Sequence, residues 1–468
     1  MSTPGRTSAT RNFLTLASGE VLAAGVAFFT TIYVARTLGV TAYGVIGFAA
    51  AILIYLTALV DGGVEAFGPR EVAAQRARLV ALAPSVLAVR FASAVVLATS
   101  VAAMAPVLLP APEARVLTVY GLALFGAAAS TRWVHLGLEQ PGVVAVARIS
   151  WEVVKLLVVL TLVRAPTDLL GVPLAECAGA AASATFAALA LRRHGVVLDW
   201  HLDVAAAREL LRQARPLMWT ILLGLAIYNL DSVFLRIFRD RPEVGLYVAA
   251  YTFINALGLL GKTVRLTLLP SLTRLETAGA RHDFYRVAMA RVFALGLPIA
   301  VVGCVLAPQI VAMAFGSTYA AAARPLQVLI WSIPLLLLRS VLQSVLVAVG
   351  LQERVLRITA WTAALSVALN LALVPILGAV GAATQTLIAE VARTLLALRW
   401  VRAQGFPIAG IDRFWRSGVA AAVMGAVLIA LGSTSLWLGL VAGAIGYAVA
   451  LTLTGGLRFR GAMPLLRV

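Results

Sequence analysis

The stretch LDSVFLRIFRDRPEVGLYVAAYTFINALGLLGKTVRLTLLPSLTRLE, residues 230–276, decides the fold, because it has an earlier counterpart in the same chain. Moved back by 201 positions, Gly245 falls on Gly44, Leu257 on Leu56, Leu260 on Leu59 and Pro270 on Pro69, and further on Arg291 falls on Arg90, all without a gap. Each copy runs short polar loop, glycine, apolar span, embedded charge, proline, basic loop. The shared order of features, more than the residue identity, points to a duplication whose two halves have the same handedness.

Composition fixes the environment of those halves. The chain has 468 residues, of which 61% are hydrophobic and 12% charged, and a mean hydropathy of +0.96. A soluble chain of this length needs far more charge on its surface. Apolar runs of about 20 residues recur, the length that crosses roughly 30 Å of hydrocarbon as helix, and the ten-residue alternation of a barrel is missing. The expected class is all-α and polytopic. The net charge of +18 then concerns membrane topology, and nucleic acid is not an expected partner. Cys177 and Cys304 both fall inside apolar runs and are expected as buried thiols, with no disulfide framework. The first apolar run is too long for a cleaved signal and is expected to stay as the first span.

Hydropathy places spans near 13–35, 41–63, 80–108, 116–138, 149–163, 169–191, 216–238, 244–268, 287–313, 326–350, 358–376, 379–398, 418–432 and 435–456. This is about fourteen helices, in two pseudo-symmetric lobes of six plus two more at the C-terminal end. The expected organisation is an N-terminal lobe over 1–191, a linker over 192–215, a second lobe over 216–400 and the additional pair over 401–468. Most of the 38 basic residues fall in alternate loops, and the opposite side holds only Arg36, Arg115, Arg164, Arg239, Arg241 and Arg324. By the positive-inside rule both termini are cytoplasmic, as an even helix count also requires. The linker carries LDWHLDVAAARELLRQA, which reads as an amphipathic helix on the membrane surface. The repeat extends further: PAPEARVLTVYGL (110–122) resembles GSTYAAAARPLQVLI (316–330), and HLGLEQ (135–140) resembles VAVGLQER (347–354).

An ionisable group near the bilayer centre costs at least about 2.5–3.5 kcal/mol, so each one is a functional candidate unless it snorkels or pairs. Arg90 and its repeat partner Arg291 lie near the cytoplasmic mouth, where both outcomes are open. Arg339 lies deep in the span from Leu326 to Gly350 and is expected to face a polar interior. Lys155 is a similar case, with Glu152 three residues earlier as a simple helical partner. Arg132 and His135 take the place in the first lobe that Arg339 and Gln343 take in the second. Glu20 interrupts the first span, Asp61 and Glu65 end the second, Asn229 and Asp231 sit in the seventh, and Lys262 and Arg265 in the eighth. Under the repeat offset Asp61 aligns with Lys262, so an acidic cluster is expected to face a basic one across the lobes. Two uses stand side by side: a structural pairing that locks the inward-closed state, and a site for substrate or coupling ion. Glu20, Asp61, Glu65 and Asp231 are the candidates for gating or ion coupling.

No Walker loop, metal-ligand spacing or nucleophile–base constellation is present, so neither an enzyme nor a cofactor is expected. Pro298, Pro308, Pro334 and Pro375 lie in or at the ends of spans, where they kink helices.

The segments YVARTLGVTAYGVIGFAAAI (33–52), RPEVGLYVAAYTFINAL (241–257), WVHLGLE (133–139) and FGSTYAAAARPLQVL (315–329) resemble the oligosaccharide and O-antigen flippases of polysaccharide biosynthesis. These share a superfamily with the lipid II flippase and the multidrug and toxin extruders. The resemblance covers nearly the whole chain, although Arg132-Trp133 stands where the flippases usually carry a bulky aromatic pair. It implies a fourteen-helix transporter of the inner membrane, whose central cationic cavity holds the pyrophosphate of an isoprenoid-linked oligosaccharide while alternating access moves the glycan outward. Arginine donors match phosphate oxygens, and Arg132, Lys155, Lys262, Arg265 and Arg339 are the candidates for substrate binding. The implied partners are the lipid-linked oligosaccharide, membrane lipids, a coupling ion (H+ or Na+), and a polymerase or glycosyltransferases. Two other readings stay open: an ion-coupled exporter of small organic cations, using Glu20, Asp61 and Asp231, and a non-transporting scaffold for glycan assembly.

Overall fold

The structure, a computed structural model, describes residues 6–74, 76–193, 203–275, 277–406, 411–431 and 436–455. Helix follows from the composition, since in hydrocarbon every backbone N–H and C=O must be satisfied within its own segment. The described residues are almost wholly helical and include no strand, which makes the protein all-α. Among the described residues, eleven helical stretches are long and apolar enough to cross a membrane, against the fourteen spans expected. The protein is a multi-pass membrane protein.

The chain forms two compact units. Unit 1 takes residues Met1–Leu225 and Asp240–Gly245; unit 2 takes Ala226–Arg239 and Leu246–Val468. In unit 1 the helices are α1 (Arg6–Asp61), α2 (Val64–Ala74), α3 (Arg76–Leu108), α4 (Ala111–Ala128), α5 (Arg132–Gly137), α6 (Pro141–Leu162), α7 (Gly171–Arg193) and the first part of α8 (Val204–Phe238). Unit 2 holds the rest of α8, then α9 (Arg241–Arg274) beyond its first turn, α10 (Ala278–Val305), α11 (Ala307–Phe315), α12 (Ala323–Leu329), α13 (Ser332–Ala348), α14 (Gln352–Ala403), α15 (Ile411–Leu431) and α16 (Leu436–Leu453).

At 1.5 Å per residue α1 would run about 84 Å, far beyond one crossing of roughly 30 Å. It breaks at Gly39, where φ is 76°, and α14 breaks in the same way at Gly378, where φ is 55°. Only glycine adopts such angles readily inside a helical run. The kinks divide each helix near the boundaries between expected spans. Charge has its own effect on α6, which is not among the eleven because Arg148, Glu152 and Lys155 fall within it.

Two expectations are corrected. Residues 204–214 do not form a separate surface helix: from Val204 the chain is continuous with the seventh span. The apolar face of those first turns, Ala207 and Leu210, is buried against Val64, Val72, Trp133 and Leu191, so protein covers what lipid was expected to cover. The beginning of the proposed amphipathic segment lies outside the described residues. The fourth span divides at residues 129–131 into α4 and α5, and the tenth is preceded by a short 3₁₀ segment and α12. Of the two outcomes left open for Arg90, burial is the one found: it is 2% exposed and does not snorkel.

Small residues set the packing distances, as apolar helices in lipid require. A Cβ on Gly126 of α4 would stand 2.5 Å from the Cβ of Ala180 on α7. The repeat is visible in unit 1 itself. A Cβ on Gly44 would lie 3.0 Å from the Gly245 nitrogen, and one on Gly245 would lie 3.2 Å from the Gly44 nitrogen. The two glycines aligned by the offset thus pack on each other reciprocally. Beside them Arg241 makes a bidentate pair with the fully buried Glu113 of α4, at 2.7 and 2.9 Å.

Candidate functional site

In unit 1 the polar interior starts at the end of α1. Asp61 accepts hydrogen bonds from the Gly63 nitrogen at 3.1 Å and the Glu65 nitrogen at 3.2 Å, and so caps the first turn of α2. Gly62 and Gly63, with φ of 64° and 86°, let the chain turn sharply enough for this. Arg90 of α3 reaches Asp61 at 3.4 Å and donates to the carbonyls of Ala127 at 2.7 Å and Ser130 at 3.0 Å. The last carbonyls of a helix lack intrahelical donors and favour a cation, and Arg90 supplies both needs at the end of α4. The Ser130 hydroxyl donates to Glu65 Oε1 at 2.7 Å.

These groups line a cavity of about 500 Å³, whose wall also includes Thr57, Arg132, Arg148, Trp151 and Ser183. Arg132 begins α5 and lies 3.4 Å from Glu20. Arg148 pairs with Glu152 one turn along α6, at 2.8 Å. Lys155 does not pair with Glu152; it meets Glu176 of α7 at 2.5 Å, and Trp151 Nε1 donates to the same carboxylate at 3.1 Å. His135 is fully buried, held by Gln140 and the Ala187 carbonyl, and ties α5 to α7.

Unit 2 carries two buried networks. In the first, Arg339 of α13 donates through Nε to Glu390 at 3.0 Å, through Nη1 to Gln343 at 3.1 Å and through Nη2 to the Tyr228 hydroxyl at 2.9 Å. Tyr228 in turn donates to Glu390. Arg393 donates to the Tyr228 oxygen at 3.0 Å and to Thr359 at 3.3 Å, and lies 3.8 Å from Glu390. Two guanidinium groups share one carboxylate, so the cluster keeps an excess positive charge. In the second, fully buried Asp231 accepts from Asn370 at 2.9 Å and Gln385 at 2.5 Å on one oxygen, and from Tyr247 at 2.5 Å and Thr386 at 2.9 Å on the other. All four donors are uncharged.

Lys262 and Arg265 stand apart. They lie one turn apart on α9, both exposed, and have no carboxylate partner among the described residues. Arg265 is within electrostatic range of Arg339, Arg393 and Tyr228. Of the five cations expected to hold substrate, Arg132, Lys155 and Arg339 therefore have acidic partners, and Lys262 and Arg265 have none among the described residues. Asp61 and Glu65, expected to meet Lys262 and Arg265, find Arg90 and Ser130 within unit 1. Sequence reasoning missed Glu390, Arg393, Asn370, Gln385 and Thr386. For Glu390 and Arg393 the signal was present, an acid and a base three residues apart inside the span 379–398.

Residues 9–276 match the family described as polysaccharide biosynthesis protein. No curated protein matches the chain. Among solved structures, the lipid II flippase MurJ in its inward closed conformation is similar with a TM-score of 0.80 at 11% identity, covering 96% of this chain and 100% of that one. An inward-facing multidrug resistance MATE family transporter of the MOP superfamily gives 0.58 at 16% identity, covering 84% and 96%. A MOP superfamily transporter from Pyrococcus furiosus gives 0.56 at 15% identity over the same shares. At such identities the likeness establishes the fold. With more than half its length matched to the family and its helices arranged as in these transporters, the chain belongs to the polysaccharide biosynthesis protein family.

Proposed function

We propose that this protein flips an isoprenoid pyrophosphate-linked oligosaccharide, of the kind used for O-antigen and lipopolysaccharide, from the cytoplasmic to the outer leaflet of the inner membrane by alternating access. Both termini are cytoplasmic in this reading. The observation that supports it best is the pair Lys262 and Arg265, exposed and without acidic partners among the described residues, next to the buried Arg339–Glu390–Arg393 cluster with its excess positive charge. A pyrophosphate needs cations that are not already neutralised and a surrounding field that is positive, and the two features together supply this. Arg339 acts there through its field, because three of its donors already serve Glu390, Gln343 and Tyr228.

Asp231 is the proposed site of ion coupling. Its carboxylate is buried with neutral donors alone, so either a proton or Na+ could compensate its charge. The exporter of organic cations fits less well, because Glu20 and Asp61, two of the three acids it would use, already hold arginines.

Reconstituted protein and a fluorescent lipid-linked oligosaccharide test the proposal. Lys262→Ala with Arg265→Ala is expected to lower flipping by more than about tenfold, as removal of unscreened charge contacts does, with insertion and thermal stability unchanged. Wild-type rates in that variant would remove the cationic site. Transport should also respond to a proton or sodium gradient, and Asp231→Asn should abolish the response.

A further inference from the structure

The unit 1 cavity is not explained by an anion site. Its three arginines are each paired, Arg90 with Asp61, Arg132 with Glu20 and Arg148 with Glu152, so the wall offers phosphate no unpaired cation. What it does offer is an acceptor. Glu65 Oε1 takes the Ser130 hydroxyl, but Glu65 Oε2 is buried without a hydrogen-bond partner. A buried carboxylate oxygen left without a donor is costly, and a ligand hydroxyl placed there recovers that cost.

The rest of the wall has matching chemistry. Trp151 borders the cavity with its indole nitrogen tied back to Glu176 at 3.1 Å, so the ring is held in place. The Arg148 guanidinium lies 5.9 Å from the ring centroid. Thr57 and Ser183 line the same space. A pyranose combines an apolar C–H face, which packs on an indole as other apolar surfaces do, with a rim of hydroxyl donors and acceptors. A volume of about 500 Å³ is in the range of small-molecule sites.

We propose that the unit 1 cavity is a subsite for an uncharged, hydroxyl-rich sugar ring of the transported glycan, with Glu65 Oε2 accepting a sugar hydroxyl and Trp151 packing on the ring. This rests on the flippase reading and concerns the glycan part of the substrate alone. Glu65→Gln is the sharp variant, because the amide keeps an acceptor for Ser130 and turns the free acceptor into a donor.

The test measures binding to the purified full-length protein with two probes, a panel of uncharged free hexose and N-acetylhexosamine disaccharides and a polyprenyl pyrophosphate without sugar. Glu65→Gln and Trp151→Leu are each expected to weaken the best disaccharide by about tenfold, the loss that follows removal of a buried hydrogen bond or packing face, and to leave the pyrophosphate probe unchanged. Lys262→Ala with Arg265→Ala should do the reverse. Should Glu65→Gln fail to fold, Ser183→Phe, which fills the cavity, must give the same loss. The proposal is overturned if no disaccharide binds, if these variants bind sugar as wild type does, or if organic cations bind in preference and lose affinity with Glu65→Gln. Intact sugar binding in a protein that flips no lipid-linked glycan would count against the flippase reading and leave the subsite standing.

Discussion

At corresponding places in the repeat, the Arg132 side chain of unit 1 is 48% exposed and 3.4 Å from Glu20, whereas the Arg339 side chain of unit 2 is 7% exposed and 3.0 Å from a Glu390 that is wholly buried. The same contrast runs through both interiors. Unit 1 keeps a cavity, with charges spread along its wall and the Glu65 Oε2 of that wall without a hydrogen-bond partner. Unit 2 fills its polar centre with its own side chains, so that Asp231 alone receives four hydrogen bonds. A duplicated sequence can thus leave a charge exposed at one position and use the other for holding helices together. The difference lies in what the neighbouring helix supplies: α14 brings Glu390 and Arg393 to α13, while α5 meets the more exposed Glu20 of α1.

The contrast can be broken most directly at Arg339. Removing one member of a buried ion pair leaves its partner uncompensated and typically costs about 3–5 kcal/mol. Arg393 also touches Glu390, so the expected loss for Arg339→Ala is toward the low end of that range. Thermal unfolding in detergent should show it; an unfolding temperature within error of wild type would mean that the unit 2 cluster does not hold the helices. Next in size is Thr386→Val, which deprives the buried Asp231 of a donor and should cost about 1–3 kcal/mol, read in the same way. The smallest effect is expected at Arg132→Ala, where an exposed pair contributes about 0–1 kcal/mol. A loss at Arg132 as large as that at Arg339 would erase the distinction between the units.

Much of the architecture was legible because apolar length is a one-dimensional property. Span positions, the duplication and the all-α class follow from runs of hydrophobic residues and the offset that relates Gly44 to Gly245. The kinks at Gly39 and Gly378 fall near the boundaries between expected spans. Residues 204–214 show where this reading stops. Amphipathicity says that one face will be covered and is silent on whether lipid or protein covers it; here Val64, Val72, Trp133 and Leu191 do.

The candidate site was legible as a set of charged residues in apolar spans, and not as a set of partnerships. Sequence by itself determined that Arg90, Lys155, Asp231, Lys262, Arg265 and Arg339 stand where an unpaired charge is expensive. Only the tertiary structure decided that Arg90 closes the end of α4, that Lys155 binds Glu176 in place of Glu152, that Arg339 is held by Glu390 and Tyr228, and that Lys262 and Arg265 keep no acidic partner among the described residues. The physical reason is one of range. Hydrophobic transfer is roughly additive along the chain, but the cost of a buried charge depends on groups within a few ångströms, and those come from helices distant in sequence.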